Sequence, residues 1–176
     1  MTCLVRPAKV SDADAIGVLH VQAWLETYAG IMPPDLLASF SPVRRAEMWR
    51  GMLGRGGGGS FVAEEAQSVV GFGLCGPQRT KTLPNYRGEV YAINLLRRSQ
   101  GRGLGRGLMA AMAQAFGDRG ISSMTLTVLA ANASAGQFYQ RLGGRMIGEI
   151  VIDFGGARLP EHVYCWDDLS VLVGPQ

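Results

Sequence analysis

The spacing of apolar residues changes repeatedly along this 176-residue chain, and each change marks an element. "CLVRPA" (residues 3–8) has the β-forming content of a short strand. Ser11, with Asp14 three positions on, is an acidic variant of a capping box and opens a helix to about Tyr28, which "AGIMPP" breaks. Ser41-Pro42 supplies an N-cap and a first-turn proline, and Val43, Ala46, Trp49 and Leu53 then keep a helical stripe as far as Gly54. After the glycine-rich loop "GRGGGGS", the stretch "SFVAEEAQSVVGFGLCG" predicts two strands joined by a tight turn at Ala66 to Ser68. A polar loop, Pro77 to Arg87, leads to "GEVYAINLL" (Gly88 to Leu96), a central strand by its β-formers. Leu104, Leu108, Ala111, Met112 and Ala115 then give one core-facing helical stripe up to Gly117. "SMTLTVL" is a further strand, Asn132 or Ser134 caps a helix ending at Leu142, and Gly143-Gly144 stops it. Two last strands flank a turn at Gly155-Gly156. The succession predicts a mixed α/β (α+β) fold, a mainly antiparallel sheet flanked by helices.

Composition narrows the class. With 47% hydrophobic residues, 176 residues suffice for one core, so a single domain over 1–170 with a short tail at 171–176 is expected. No apolar run is long enough for a membrane span, and the first residues lack a signal-peptide core, which predicts a cytoplasmic protein with no membrane partner. Cys3, Cys75 and Cys165 are widely spaced, with no CxxC and no histidine cluster, so they read as reduced core thiols and no metal is expected. His20 and His162 have no partner visible in the sequence and read as structural. The net charge is only +3, but Arg97, Arg98, Arg102 and Arg106 fall within ten positions. A nucleic-acid binder would spread such charge along a stripe with interleaved aromatics; charge gathered at one loop suits a compact polyanion.

That loop, "SQGRGLGRG", places glycines where a helix begins, although glycine disfavours a helix by about 1 kcal/mol. Backbone N–H groups at a helix N-terminus favour a pyrophosphate, and the absence of side chains lets it approach. Two phosphate motifs fail on spacing. "GRGGGGS" lacks the lysine of a P-loop, and the sixth position counted from Gly101 is Arg106, not the glycine of a dinucleotide fingerprint. What remains is strand, Gln100-Gly101-Arg102-Gly103-Leu104-Gly105, helix.

At these residues the chain resembles the GNAT superfamily of acyl-CoA-dependent N-acetyltransferases, whose loop has the form Gln/Arg-x-x-Gly-x-Gly/Ala; Gln100, Gly103 and Gly105 fit it. The family's second element, Asn-x-x-Ala-x-x-Phe-Tyr, is matched by Asn132, Ala135, Phe138 and Tyr139 ahead of "RLGGR". The resemblance covers about Leu4 to Asp167 and departs at Arg97, where many members carry proline. It implies a strand-loop-helix coenzyme A site, with Gln100, Gly101, Arg102, Gly103, Leu104, Gly105, Arg106 and Asn132 toward the cofactor and the backbones of Ile93 and Leu95 along the pantetheine chain.

Moving an acetyl group from a thioester to an amine requires a neutral nucleophile and a protonated leaving thiolate. Glu89 lies eleven positions before Gln100 on the central strand, where the resemblance implies a general base. Strand alternation puts Glu89, Tyr91, Ile93 and Leu95 on one face. Tyr139 is the candidate acid: a phenol of ordinary pKa near 10 is protonated at neutral pH and can protonate a thiolate. Phe138 is expected to turn inward and Tyr139 toward the cleft. Trp24 and Tyr28, one turn apart, are candidates for holding a cationic acceptor or equally for helix core, and their segment is similar to one in bacterial small-amine acetyltransferases, polyamine enzymes included, which implies a small-molecule amine. A non-catalytic acyl-CoA sensor stays open beside the enzyme, as does a homodimer through edge strands.

Overall fold

The computed structural model describes residues 3–56, 59–79, 83 and 85–174. Seven strands form one sheet in the order β1-β2-β3-β4-β5-β7-β6. They are β1 (Cys3–Pro7), β2 (Ser60–Glu65), β3 (Ser68–Pro77), β4 (Gly88–Leu95), β5 (Met124–Leu129), β6 (Arg145–Phe154) and β7 (Ala157–Trp166). The helices are α1 (Ala13–Tyr28), α2 (Pro34–Ala38), α3 (Pro42–Gly54), α4 (Leu104–Gly117), α5 (Ala133–Arg141) and α6 (Ser170–Val173). Strands β1, β2 and β3 pair antiparallel, as do β5 with β7 and β7 with β6; β4 and β5 run parallel. The β2–β3 turn holds Ala66 and Gln67 at φ 46 and 66, the left-handed pair that a two-residue hairpin needs to match strand twist.

The described chain divides into two compact units, one of Met1–Leu74 with Ala92–Met112, the other of Cys75–Tyr91 with Ala113–Gln176. In the first, Ile16, Leu19, Trp49, Val62, Phe72, Leu96, Leu104 and Leu108 form the core. Ser41 caps α3, its hydroxyl accepting from the Arg44 N–H, and Ala46 and Trp49 are buried as the stripe requires, although Val43 is exposed. The start of α1 differs from its prediction: Asp12, not Ser11, accepts the Lys9 N–H at 2.7 Å, and a 3-10 turn at Val10–Asp12 precedes the helix. Arg6 fixes that carboxylate with two hydrogen bonds of 2.8 and 2.9 Å, which outcompetes a neutral serine cap. Cys3 is exposed on an edge strand rather than a core thiol, whereas Cys75 and Cys165 are buried and burial pushes the Cys75 thiol up to about 12.

In the second unit Trp166, Tyr164 and Tyr139 are buried, and the Trp166 indole N–H donates to the Leu142 carbonyl at 2.9 Å. Asn132 caps α5, its Oδ1 accepting from the Ala135 N–H, and Gly143 takes φ 83 after the helix. The buried residues of α4 are Leu104, Leu108, Met109, Met112, Ala113 and Phe116, a wider stripe than predicted, with Ala111 and Ala115 at its half-buried margin. No described helix is long and apolar enough to cross a membrane.

Candidate active site

The loop between β4 and α4 belongs to the first unit. Gly101 and Gly103 sit at φ 74 and 81, a region that L side chains rarely adopt, and no atom lies within 4 Å of a Cβ built on either. The glycines are therefore required by backbone conformation, and the space above them is open. Gly107 is the first residue to bond back in α4, its N–H reaching the Gly103 carbonyl at 2.9 Å; earlier N–H groups have no acceptor within the helix. The loop is pinned from below. Ser99 is fully buried and donates to Glu65 at 2.9 Å, while Arg102 pairs with the other oxygen of that carboxylate at 3.4 Å. Arg97, the departure from the expected proline, donates its N–H to the Glu26 carboxylate at 2.8 Å and its guanidinium to the Glu26 carbonyl. That N–H bond is the main reason the Glu26 carboxyl sits below its ordinary pKa. Arg97 thus ties the loop to α1, a role the sequence did not disclose because the two residues lie 71 positions apart.

Along β4, the Leu96 N–H donates to Val70 of β3 at 3.0 Å. Alternate residues direct their backbone groups the same way, so those of Ile93 and Leu95 point away from β3. The β4–β5 ladder covers only Gly88–Val90 with Met124–Leu126 and stops short of both. The Leu95 carbonyl accepts from the Gln100 amide at 3.2 Å, and the side chains of Ile93 and Leu95 pack on the core.

Glu89 belongs to the second unit, buried at the start of β4. Its Oε2 accepts the Arg79 N–H at 2.8 Å; its Oε1 accepts the Arg79 guanidinium at 2.6 and 3.2 Å. The same guanidinium lies 3.7 Å from the centre of the Tyr91 ring, whose hydroxyl donates to the Pro77 carbonyl at 2.6 Å. Glu89 and Tyr91 thus share a face, as alternation requires. Thr125 stands in register with Glu89, its hydroxyl accepting from the Gln78 amide at 2.6 Å. An open cleft is lined by Glu89, Glu149, Thr125, Thr127, Ile147, Ile150 and Val163, with two carboxylates and two hydroxyls against aliphatic walls.

Tyr139 lies within α5, but the inward assignment is reversed: Tyr139 is buried and Phe138 only half-buried. The Tyr139 ring packs against Tyr164 at 5.7 Å and Trp166 at 6.2 Å between centres, aromatic partners on β7 that drew it inward. Trp24 and Tyr28 lie in the first unit with ring centres 5.2 Å apart, and Trp24 also meets His20 and Phe40. The cation over Trp24 is the chain's own Arg45, 5.7 Å from the ring centre and 5.0 Å from that of Phe40. Among the described residues no group of three His, Cys, Asp or Glu side chains is placed to hold a metal ion.

The sequence profile of the Acetyltransferase (GNAT) family matches residues 21–144, from within α1 to beyond α5, and so takes in both the loop and β4. The chain belongs to this family. It is 38% identical over 169 residues to the uncharacterized N-acetyltransferase YuaI of Bacillus subtilis, covering 96% of this chain and 95% of that one. Among solved structures it shares the fold of YncA, a putative acetyltransferase from Salmonella typhimurium with its cofactor acetyl-CoA, at a TM-score of 0.70, with 22% identity over 96% of this chain and 95% of the other. PaiA N-acetyltransferase from Thermoplasma acidophilum in complex with coenzyme A gives a TM-score of 0.67, with 18% identity over 92% and 98%. The protein is an acyltransferase, and acetyl-CoA is the donor its family uses. The residues present fit that donor, since the positive-φ glycines leave the loop open and the strand groups of Ile93 lie outside the β ladders.

Proposed function

We propose that this GNAT enzyme transfers an acetyl group from acetyl-CoA to the primary amine of a small molecule, within the cytoplasm, by direct attack. The observation that carries the reading is the β4–loop–α4 passage, where two positive-φ glycines open onto the first turn of a helix. When bound, acetyl-CoA supplies an acyl group activated as a thioester. The N–H groups from Gly101 to Arg106 and the arginines among them would hold its pyrophosphate, and the backbones of Ile93 and Leu95 its pantetheine arm. Asn132 acts at the head of α5, where its cap bond keeps the helix start in place.

Glu89 takes a proton from the acceptor's ammonium, freeing the nitrogen lone pair to form the C–N bond. Such an amine has an ordinary pKa near 10.4, so at neutral pH nearly all of it needs this step. Tyr139 gives its hydroxyl proton to the sulfur as the C–S bond breaks, and the second proton that the nitrogen sheds on becoming an amide passes to solvent, from which the phenol is reprotonated. The cleft beside Glu89 suits a compact amine with an aliphatic body.

Tyr139→Phe tests this reading. It keeps the ring against Tyr164 and Trp166 while deleting the proton, so melting temperature and acetyl-CoA affinity should hold as turnover falls by about 10²-fold. Unchanged turnover where chemistry limits the rate would make the tyrosine a packing residue. Acetyl-CoA binding without acetylation of any amine would favour a sensor over an enzyme.

A further inference from the structure

The two oxygens of Glu89 are held in different ways. Oε2 accepts a backbone N–H, that of Arg79, which cannot leave without moving the chain. Among the described residues Oε1 accepts only from the Arg79 guanidinium, on a side chain 61% exposed, whereas the Glu89 side chain is 11% exposed. A cation that exposed is rehydrated as it leaves the carboxylate, so the exchange costs the guanidinium little, and the cost of breaking the pair falls on the buried carboxylate unless another cation takes its place. It also keeps a resting place on the Tyr91 ring, which the bond from its hydroxyl to Pro77 holds still. Oε1 is therefore the replaceable end of a carboxylate that is otherwise fixed, at the wall of a cleft where Thr125, Thr127, Ile150 and Val163 leave room for a small molecule and Glu149 adds a second negative charge that also favours a cation.

Resting on the transferase reading, we propose that Arg79 is a specificity-determining residue, an internal cation that occupies Glu89 Oε1 in the free protein and that the acceptor's ammonium displaces on binding. The backbone bond to Oε2 keeps the carboxylate aimed during the exchange. Only a cation can replace the guanidinium without leaving a buried carboxylate unpaired, so acids and neutral amides are rejected while amines enter. Binding an amine costs the lost Arg79 contact, which sets affinity below what the cleft alone would give.

The test is a titration with n-butylamine, followed by NMR chemical shift, of wild type, Arg79→Met, Arg79→Lys and Glu89→Gln, each checked for an unchanged melting transition. Removing the competitor should tighten butylamine binding by up to about fivefold in Arg79→Met. Arg79→Lys, which retains a cation within reach, should fall nearer wild type, and Glu89→Gln should bind weakest. Steady-state kinetics should show the same split: a lower KM for the amine in Arg79→Met, with kcat within about twofold and an unchanged KM for acetyl-CoA. Binding that is weaker or unchanged in Arg79→Met, or absent from both it and wild type, overturns the proposal and leaves Arg79 a support for Glu89. Acetyl-CoA binding is measured separately by calorimetry. Its absence from wild type would overturn the transferase reading, while the amine titrations would still decide the place of Arg79.

Discussion

His20 is buried among the rings of Trp24, Trp49 and Phe72, and its Nδ1 accepts the Trp49 indole N–H at 3.3 Å. Desolvation, with the nearby positive charge of Arg45, lowers its pKa from 6.5 to about 4, so the imidazole is neutral in the folded protein at pH 7. Because the folded value lies below the unfolded one, the unfolded chain binds the proton first. The stability that neutral His20 provides is complete above pH 6.5 and is lost as pH falls toward 4, by about 3 kcal/mol over the window. Urea midpoints at pH 7 and pH 4.5 check this, and His20→Asn, which keeps an acceptor for Trp49, should show a smaller drop. An equal drop in both proteins would place the acid sensitivity elsewhere. The same neighbourhood explains a limit of the sequence reading. Trp24 and Tyr28 form an aromatic pair as their spacing predicts, but the cation that completes it arrives from α3 as Arg45. Helical spacing cannot see a partner on another element. The Glu89–Arg79 bond was hidden for a related reason, since Arg79 lies in an irregular segment with no periodicity to place it.

Helices α1 and α3 meet closely at Gly17. A Cβ there would lie 2.7 Å from both the Ala46 N and the Pro42 carbonyl oxygen, and backbone cannot rotate aside. Gly17→Ala gains helix propensity of at most about 1 kcal/mol but forces the two helices apart, a cost of about 1–3 kcal/mol, so the net effect is destabilising. Gly51 in α3 is the internal control, because its nearest neighbour is the flexible end of Arg55 at 3.7 Å. Gly51→Ala should stabilise by about 0.5–1 kcal/mol. Urea denaturation of the two variants should move the midpoint in opposite directions; a shift of the same sign in both would mean that propensity, not packing, governs Gly17. At this scale the sequence was most legible, and the reason is length. The Ser41 cap and the Gly155-Gly156 turn punctuate a long pattern and appear where the sequence predicts them, and the α4 stripe keeps Leu104, Leu108 and Met112 while widening to Met109, Ala113 and Phe116. Helices α2 and α6, of five and four residues, are too short to show a period and were not predicted. In α5 a step of about 100° separates Phe138 from Tyr139, and nine residues give no stripe strong enough to say which of them faces the core.

For the molecule as a whole, donor binding should appear as stability. The net charge of +3 is modest, but the four arginines from Arg97 to Arg106 concentrate positive potential where the phosphates would bind. Two of them are already engaged: Arg97 by Glu26 and Arg102 by Glu65. Both hold the loop, and on the proposed site the open backbone above Gly101 and Gly103 would supply part of the recognition. A ligand that binds only the folded state stabilises it by about 2.7 kcal/mol at one hundred times its Kd. For a chain of this size that corresponds to a rise of about 5–10 °C in Tm. Acetyl-CoA should produce this rise, and an acetylated thiol that lacks the pyrophosphate should produce far less at the same concentration. If backbone dipoles carry part of the attraction, as the proposed site requires, raising the salt from 50 to 500 mM should weaken the acetyl-CoA shift without abolishing it. Equal shifts for the two donors would remove the pyrophosphate, and with it the glycine loop, from the binding site. Complete loss of the shift in salt would assign the recognition to the arginine side chains alone.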